Sequence, residues 1–148
     1  MSSMQKNRKI LPESNLKSLK DFATKLTIIC KDIDEWPDSW AGDKNDFLTG
    51  IKILSEFKNF LVNLIEKGRS TRTIKRHANY IWALGGEIIR NTNEHGVGYK
   101  LSGSQIILKY IHPDGGPYWR YATSDADHQQ YDSACSRLHK FLLNKKNE

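Results

Sequence analysis

Five positively charged side chains lie close together near the middle of the chain. They are Lys67, Arg69, Arg72, Lys75 and Arg76. Helical spacings of three and four residues place the last three on one face of a helix. Such a face, next to an exposed turn, can contact the phosphate oxygens of a nucleic acid. A charged face that only meets solvent has the same pattern, so the residues alone leave both interpretations open.

The net positive charge of the chain is concentrated in the same segment. The 148 residues carry a formal net charge of +6. Residues 46–100 hold nine Lys or Arg against five Asp or Glu, a net of +4, whereas the two flanking segments hold +1 each. A localised basic region is typical of proteins that bind nucleic acids. A modest positive charge also keeps a small protein soluble, which is the alternative interpretation.

A second cluster, Tyr118, Trp119, Arg120 and Tyr121, follows a turn-forming Asp-Gly-Gly-Pro segment. Trp, Tyr and Arg are the residue types that contribute most to protein–protein binding. If the cluster is exposed, it predicts an interaction surface. If it is buried, it caps the core between the last two helices. We expect burial and keep the interaction surface as the alternative.

No arrangement of nucleophilic, acid–base or metal-ligating residues stands out. None of the five histidines has the spacing and the additional Cys or carboxylate partners of a zinc site. Cys30 and Cys135 fall on apolar faces of predicted helices, and we expect two buried, reduced thiols. The glycine pairs lack the lysine of a phosphate-binding loop. We therefore predict no catalytic residue, no metal and no cofactor.

The composition is that of a folded protein outside the membrane. Hydrophobic residues make up 38% and aromatic residues 10% of the chain, which supports a packed core. No run approaches the roughly 20 apolar residues of a membrane span. The polar N-terminal segment lacks the apolar stretch of a secretory signal. We therefore expect a cytoplasmic protein without a membrane partner.

Apolar residues recur at three- and four-residue steps in four segments, and each segment predicts a helix. The first helix begins at Ser14 and ends before Pro37, which discourages helix in the residue that precedes it. The second covers residues 46–67 and is apolar on more than one side, which predicts a central position. We expect one compact, mainly α-helical, four-helix domain over residues 13–148, preceded by a flexible arm over residues 1–12.

The end of the second helix and the start of the third carry residues typical of helix caps. Gly68 suits the left-handed position that closes the second helix. Ser70 or Thr71 suits the cap of the third. The Gly85-Gly86 pair then interrupts the apolar stripe. Either a neighbouring helix approaches closely and compensates the cost of the glycines, or the helix ends there.

Three segments have no clear helical period. Residues 36–45 predict a loop whose two tryptophans fold back onto the core. Residues 91–105 are rich in Asn, Gly and Ser. Residues 106–111 are short, β-branched and apolar, which is compatible with a short strand and equally with a buried helical turn. The last helix begins near Ser124.

The segment from Phe57 to Gly85 reads FxxFLxxLxxxGxSxxTIxxHxxxIxxLG. This pattern resembles the helical hairpin in the SAM-like core-binding domain of the phage integrases, which are tyrosine recombinases. In that family such helices clamp DNA, so the resemblance implies a SAM-like domain and a DNA partner. The chain has no counterpart of the arginine–histidine–arginine–tyrosine set of the recombinases, and recombinase activity is not expected. The matching residues are Phe57, Phe60, Leu61, Leu64, Gly68, Ser70, Thr73, Ile74 and His77.

Two further segments, LGGEIIR and YDSACSRLHKFL, resemble a group of small uncharacterised bacterial proteins. This resemblance implies a bacterial source and a single compact unit. Together with the charge distribution, the sequence predicts a non-enzymatic, nucleic-acid-binding accessory protein that uses residues 67–76. A protein–protein interaction module that uses residues 118–121 is the alternative.

Overall fold

A computed structural model describes residues 13–95 and 100–146 of the chain. Most of these residues lie in six α-helices and one turn of 3-10 helix. The elements are α1 (Glu13–Ile29), the 3-10 turn (Ile33–Glu35), α2 (Trp36–Trp40), α3 (Lys44–Glu66), α4 (Thr71–His95), α5 (Gly103–Tyr110) and α6 (Asp125–Lys146). The prediction of a mainly α-helical domain is confirmed, and two short helices are added to the four predicted. The predicted arm over residues 1–12 lies outside the described residues.

Helix α3 is central, as its broad apolar surface predicts. It packs against α1, α2, α4 and α5, and α4 in turn packs against α6. Ile53, Phe57 and Leu61 on α3 are completely buried. Removing such side chains from water stabilises the fold by roughly 1.5–3 kcal/mol each. Because α3 holds its neighbours in place, it also fixes the position of the turn that follows it.

The turn between α3 and α4 is tight and fully hydrogen-bonded. Gly68 has a φ of 80°, the left-handed conformation predicted for it. The Gly68 N–H donates to the Ile65 carbonyl oxygen over 2.9 Å, and the Arg69 N–H donates to the Leu64 carbonyl oxygen over 3.1 Å. This pair of bonds is a Schellman motif. The Ser70 hydroxyl accepts from the Thr73 N–H over 3.1 Å and caps α4.

The segment that precedes α3 differs from the predicted loop. Helix α1 ends at Ile29, and residues 36–40 form the short helix α2. Pro37 lies in the first turn of α2. There its missing N–H would have had no partner, and its fixed φ favours the helix. Trp36 is buried and Trp40 packs against the core, so the expectation that both tryptophans fold back is confirmed.

Helix α4 continues through its two glycines because the Trp40 ring occupies the space beside them. A Cβ at Gly85 would lie 2.2 Å from Cζ2 of the Trp40 indole. The Trp40 Nε1–H donates to the Trp82 carbonyl oxygen over 3.0 Å. Of the two predicted alternatives, close approach of a neighbouring helix is therefore the correct one.

Residues 106–111 are helical, and the short-strand alternative is wrong. Within residues 13–95 and 100–146 the only β-type pairing is an isolated bridge between His112 and Gly115. The Ser102 side chain accepts from the Gln105 N–H, and the Gln105 side chain accepts from the Ser102 N–H. This capping box starts α5 and supports a short helix in a segment whose apolar run also suits a strand.

Candidate nucleic-acid interface

The five predicted cations lie on the exposed side of the α3–α4 hairpin. Lys67 and Arg69 belong to the turn, and all five side chains are solvent-exposed. On the opposite side of α4, Ile74, Ala78 and Ile81 are buried. The helix therefore buries one side and presents cations on the other, as the spacing predicts.

A groove lies between the second half of α3, the start of α4 and the second half of α6. Its volume is about 1190 Å³. Lys67, Arg69 and Arg76 of the predicted set line it. We call this depression the basic groove. Arg72 and Lys75 point to a separate depression further along α4.

Helix α6 brings three more cations to the basic groove. They are Arg137, Lys140 and Lys145. The first of them, Arg137, lies 60 residues after His77 in the chain. None of the three is among the cations predicted from the sequence to bind nucleic acid. The signal that could have found two of them is the polar stripe of α6, where Ser133, Arg137, Lys140 and Asn144 recur at steps of four, three and four residues.

Most cations of the basic groove lack a carboxylate partner. Lys145 is the exception, with its Nζ 3.1 Å from Oε1 of Glu56. Glu66 is the one carboxylate among the described residues that lines the groove. Cations that face one cleft without compensating carboxylates create a strong local positive potential. Among the cations that line the basic groove, those without an ion pair to any described residue are Lys67, Arg69, Arg76, Arg137 and Lys140.

His77 lies under the basic groove and fixes one of its cations. The ring is 3% exposed. Its Nδ1 is 2.8 Å from the Thr73 carbonyl oxygen, and this contact requires a proton on Nδ1. Nε2 is then free to accept from the Arg137 guanidinium over 2.9 Å. Burial lowers the pKa of His77, and the nearby guanidinium groups of Arg137, Arg76 and Arg69 lower it further. The neutral imidazole thus holds Arg137 in place without competing for an anion.

A second depression lies along the exposed face of α4, with a volume of about 710 Å³. Arg72, Lys75 and Arg76 line it together, so the structure places them on a common surface. Three aromatic side chains border the same space: Tyr80, Trp82 and Trp119. We call this depression the aromatic pocket. Arg76 also lines the basic groove and therefore belongs to both.

The cluster at residues 118–121 is divided between core and solvent. Trp119 stacks on Tyr131 with ring centroids 5.1 Å apart and meets Tyr80 edge-on at 5.7 Å. Tyr118 and Tyr121 are 76% and 66% exposed. The expectation of burial is therefore met in part by Trp119, which is half-buried against the core, and is wrong for Tyr118, Arg120 and Tyr121, which are exposed. Trp119 occupies the apolar space beside α4 and α6, and its neighbours are left on the surface.

Arg120 is attached to α4 by a buried carboxylate. Glu87 is 2% exposed and lies in the LGGEIIR segment. One of its oxygens accepts from the Arg120 N–H over 3.3 Å, and the other is 3.6 Å from Arg120 Nε. Arg90 Nη2 lies 3.3 Å from Oε2 of the same carboxylate. Burial of this charge is offset by its two arginine partners, which indicates a structural role.

Neither cysteine lies in surroundings that activate its thiol. Cys30 and Cys135 are both buried, unpaired thiols, as predicted. Burial raises the pKa of both thiols, which disfavours the reactive thiolate. Within the described ranges, no group of three His, Cys, Asp or Glu side chains is arranged to hold a metal ion. None of the helices in those ranges has both the length and the apolar character of a membrane span.

Comparison with protein-family models, with curated proteins and with solved structures found no match to this chain.

Proposed function

We propose that this protein binds the phosphate backbone of a nucleic acid in the basic groove, as a non-enzymatic accessory protein. The observation that carries the proposal is the convergence of three helices on this groove. Helix α6 adds Arg137 and Lys140 to the cations of the α3–α4 turn, although the two segments are distant in the chain. Such convergence favours a binding surface over a charge run that merely meets solvent. The resemblance of the hairpin to DNA-clamping helices supports the same proposal.

The geometry suits a polyanion better than a single small anion. The groove is open, and its cations are spread over α4, α6 and the turn between α3 and α4. A nucleic-acid strand carries phosphates at regular intervals and can contact several such cations at once. Each contact releases a condensed counterion, so binding weakens as salt rises.

The test replaces one cation from each part of the groove with glutamine: Arg69, Arg76 and Lys140. None of the three side chains has a hydrogen bond or an ion pair to a described residue, so we expect the fold to remain intact, with a change under about 0.5 kcal/mol per site. Removing three phosphate contacts should reduce the slope of log K against log salt by roughly two to three units. Fluorescence anisotropy of labelled oligonucleotides between roughly 50 and 200 mM salt measures this slope.

The matched control removes the same charge elsewhere, with Lys44, Lys100 and Lys109 replaced by glutamine. These lysines are exposed and do not line the basic groove. We expect the control to keep nearly the full slope. Equal weakening by both variants would mean that net charge alone drives the interaction. No saturable binding by the unaltered protein would contradict the proposed function itself.

A second candidate function is protein binding through Tyr118 and Tyr121. The observation that favours it is their exposure, 76% and 66%, since exposed tyrosines are common at interaction surfaces. Salt distinguishes the two candidates. Binding through an aromatic surface should respond weakly to ionic strength, whereas binding in the basic groove should fall steeply.

A further inference from the structure

Trp82 is an exposed aromatic side chain held in a fixed position. It is 44% exposed, although it belongs to the long helix α4. Its Nε1–H donates to the Ser39 hydroxyl over 3.0 Å, and its carbonyl oxygen accepts from Trp40 Nε1. These two bonds attach the residue to α2. A rigid, partly exposed indole loses little conformational freedom when it binds a flat partner.

Trp82 shares the aromatic pocket with three cations. Arg72, Lys75 and Arg76 line the aromatic pocket with it. Asp127 is the one described carboxylate of this pocket. Its two carboxylate oxygens already accept hydrogen bonds, one from the Tyr80 hydroxyl over 2.8 Å and the other from the Thr123 N–H over 3.1 Å. Arg72, Lys75 and Arg76 outnumber it, so the pocket combines an aromatic platform with net positive charge.

The aromatic pocket and the basic groove adjoin a third depression that shares lining residues with both, and we call this series of three depressions the track. A smaller depression of about 280 Å³ lies between them. It shares His77 and Arg137 with the basic groove and shares Tyr80 and Gln130 with the aromatic pocket. Arg76 lines all three. A strand that leaves the basic groove across the smaller depression would therefore enter the aromatic pocket, which Trp82 lines.

We infer that this track takes single-stranded nucleic acid, with a base stacked on Trp82. The inference rests on the proposed function and identifies the class of nucleic acid. A flat base offers its face only when it is unpaired, since the bases of a duplex are already stacked on one another. Grooves that combine cations with aromatic side chains bind single strands because the cations follow the backbone and the rings stack on bases.

The decisive comparison uses three probes of equal length: a single strand, an abasic strand with the same phosphates, and the corresponding duplex. Stacking requires the base, whereas charge attraction requires only the phosphates. We expect the single strand to bind the unaltered protein about tenfold or more tightly than the abasic strand. Fluorescence anisotropy at constant salt gives the three affinities.

Two variants locate the stacking ring. Trp82→Leu should weaken binding of the single strand about tenfold and leave the abasic strand and the salt slope unchanged. Trp82→Phe keeps an aromatic ring and should retain most of the affinity. A base stacked on Trp82 should quench its fluorescence in the unaltered protein, and Trp82→Phe should lose this part of the quenching. Tyr121→Leu is the matched control, because it removes an exposed aromatic ring outside the aromatic pocket.

The outcomes separate this inference from the proposed function. Equal affinities for the single strand and the abasic strand would overturn the inference, even if the groove variant still reduces the salt slope. Full affinity of Trp82→Leu for the single strand would overturn it as well. If none of the three probes binds, both the inference and the proposed function are wrong. Should Trp82→Leu fail to fold by circular dichroism, the abasic comparison and Trp82→Phe decide the question.

Discussion

His77 is a buried side chain that contacts an exposed cation. Its ring accepts from Arg137 and donates to the Thr73 carbonyl oxygen. Protonation of Nε2 would remove the acceptor and place a positive charge beside several guanidinium groups. The fold therefore keeps the imidazole neutral, and this preference links the stability of the protein to pH.

We predict that the protein loses stability as the pH falls below the ordinary histidine pKa of 6.5. The pKa of His77 is lower in the folded protein than this value, mainly because of burial. Below about pH 6.5 the unfolded chain takes up a proton that the folded protein resists, so stability is present above that pH and declines below it. Urea midpoints at about pH 7.5 and about pH 5.5 measure the decline.

Replacement of His77 by glutamine provides the control for this prediction. Glutamine does not titrate, so the difference between the two urea midpoints should shrink. If the variant loses as much stability as the unaltered protein over the same range, another group is responsible for the pH dependence.

At the scale of elements, α4 depends on its contact with α2. The helix passes two glycines that are intrinsically unfavourable in a helix. The Trp40 ring fills the space beside Gly85, and Trp40 itself packs edge-on against Phe57 at 6.0 Å. The cost of glycine in the helix is thus offset by the packing of an indole against the backbone.

We predict that Gly85→Ala destabilises the protein by about 1–3 kcal/mol, because the new methyl group overlaps the Trp40 ring. Alanine is otherwise the better helix former, by about 1 kcal/mol. Gly86→Ala is the matched control. A Cβ there would lie 3.7 Å from Trp40, an ordinary contact. It should be neutral or stabilising. Urea denaturation followed by circular dichroism measures both, and equal effects would contradict this account of the helix.

At the scale of the whole molecule, the connection between α5 and α6 contacts both α4 and α6 and supports the packing of these two helices on each other. Glu87 attaches this connection to α4 through Arg120. Near the start of α6, Asp132 accepts from the Gly116 N–H over 3.2 Å, and Tyr131 donates to the Pro117 carbonyl oxygen over 3.0 Å. These contacts hold α6 against α4, which brings Arg137 and Lys140 to the basic groove.

We predict that Glu87→Gln lowers the free energy of unfolding by about 1–3 kcal/mol, because two arginines lose a buried acceptor charge. The measurement is a urea titration, with the slope of the transition checked for constancy. Asp114→Asn is a suitable control, since Asp114 is exposed and forms no ion pair with a described residue. A Glu87→Gln midpoint equal to that of the control would show that the buried charge contributes little.

The sequence alone was sufficient for the presence of the four long helices and for the turn between α3 and α4, but it did not predict the short helices α2 and α5. Apolar periodicity and capping residues act within a few positions, so Gly68 and Ser70 could be identified without any knowledge of packing. The same local information was ambiguous for residues 106–111, because a short apolar run suits a buried strand and a buried helix equally. The capping box at Ser102 was the local signal that would have favoured the helix.

Tertiary structure decided which surfaces meet. The spacing of Arg137 and Lys140 is visible in the sequence, but their position opposite the α3–α4 turn follows from the packing of α6 on α4. Likewise, two adjacent residues have different surroundings: Trp119 is half-buried and stacks on Tyr131, whereas Tyr118 is exposed. The physical reason is range: capping and periodicity are contacts between near neighbours in the chain, whereas a groove is built from side chains that only the packed core brings together.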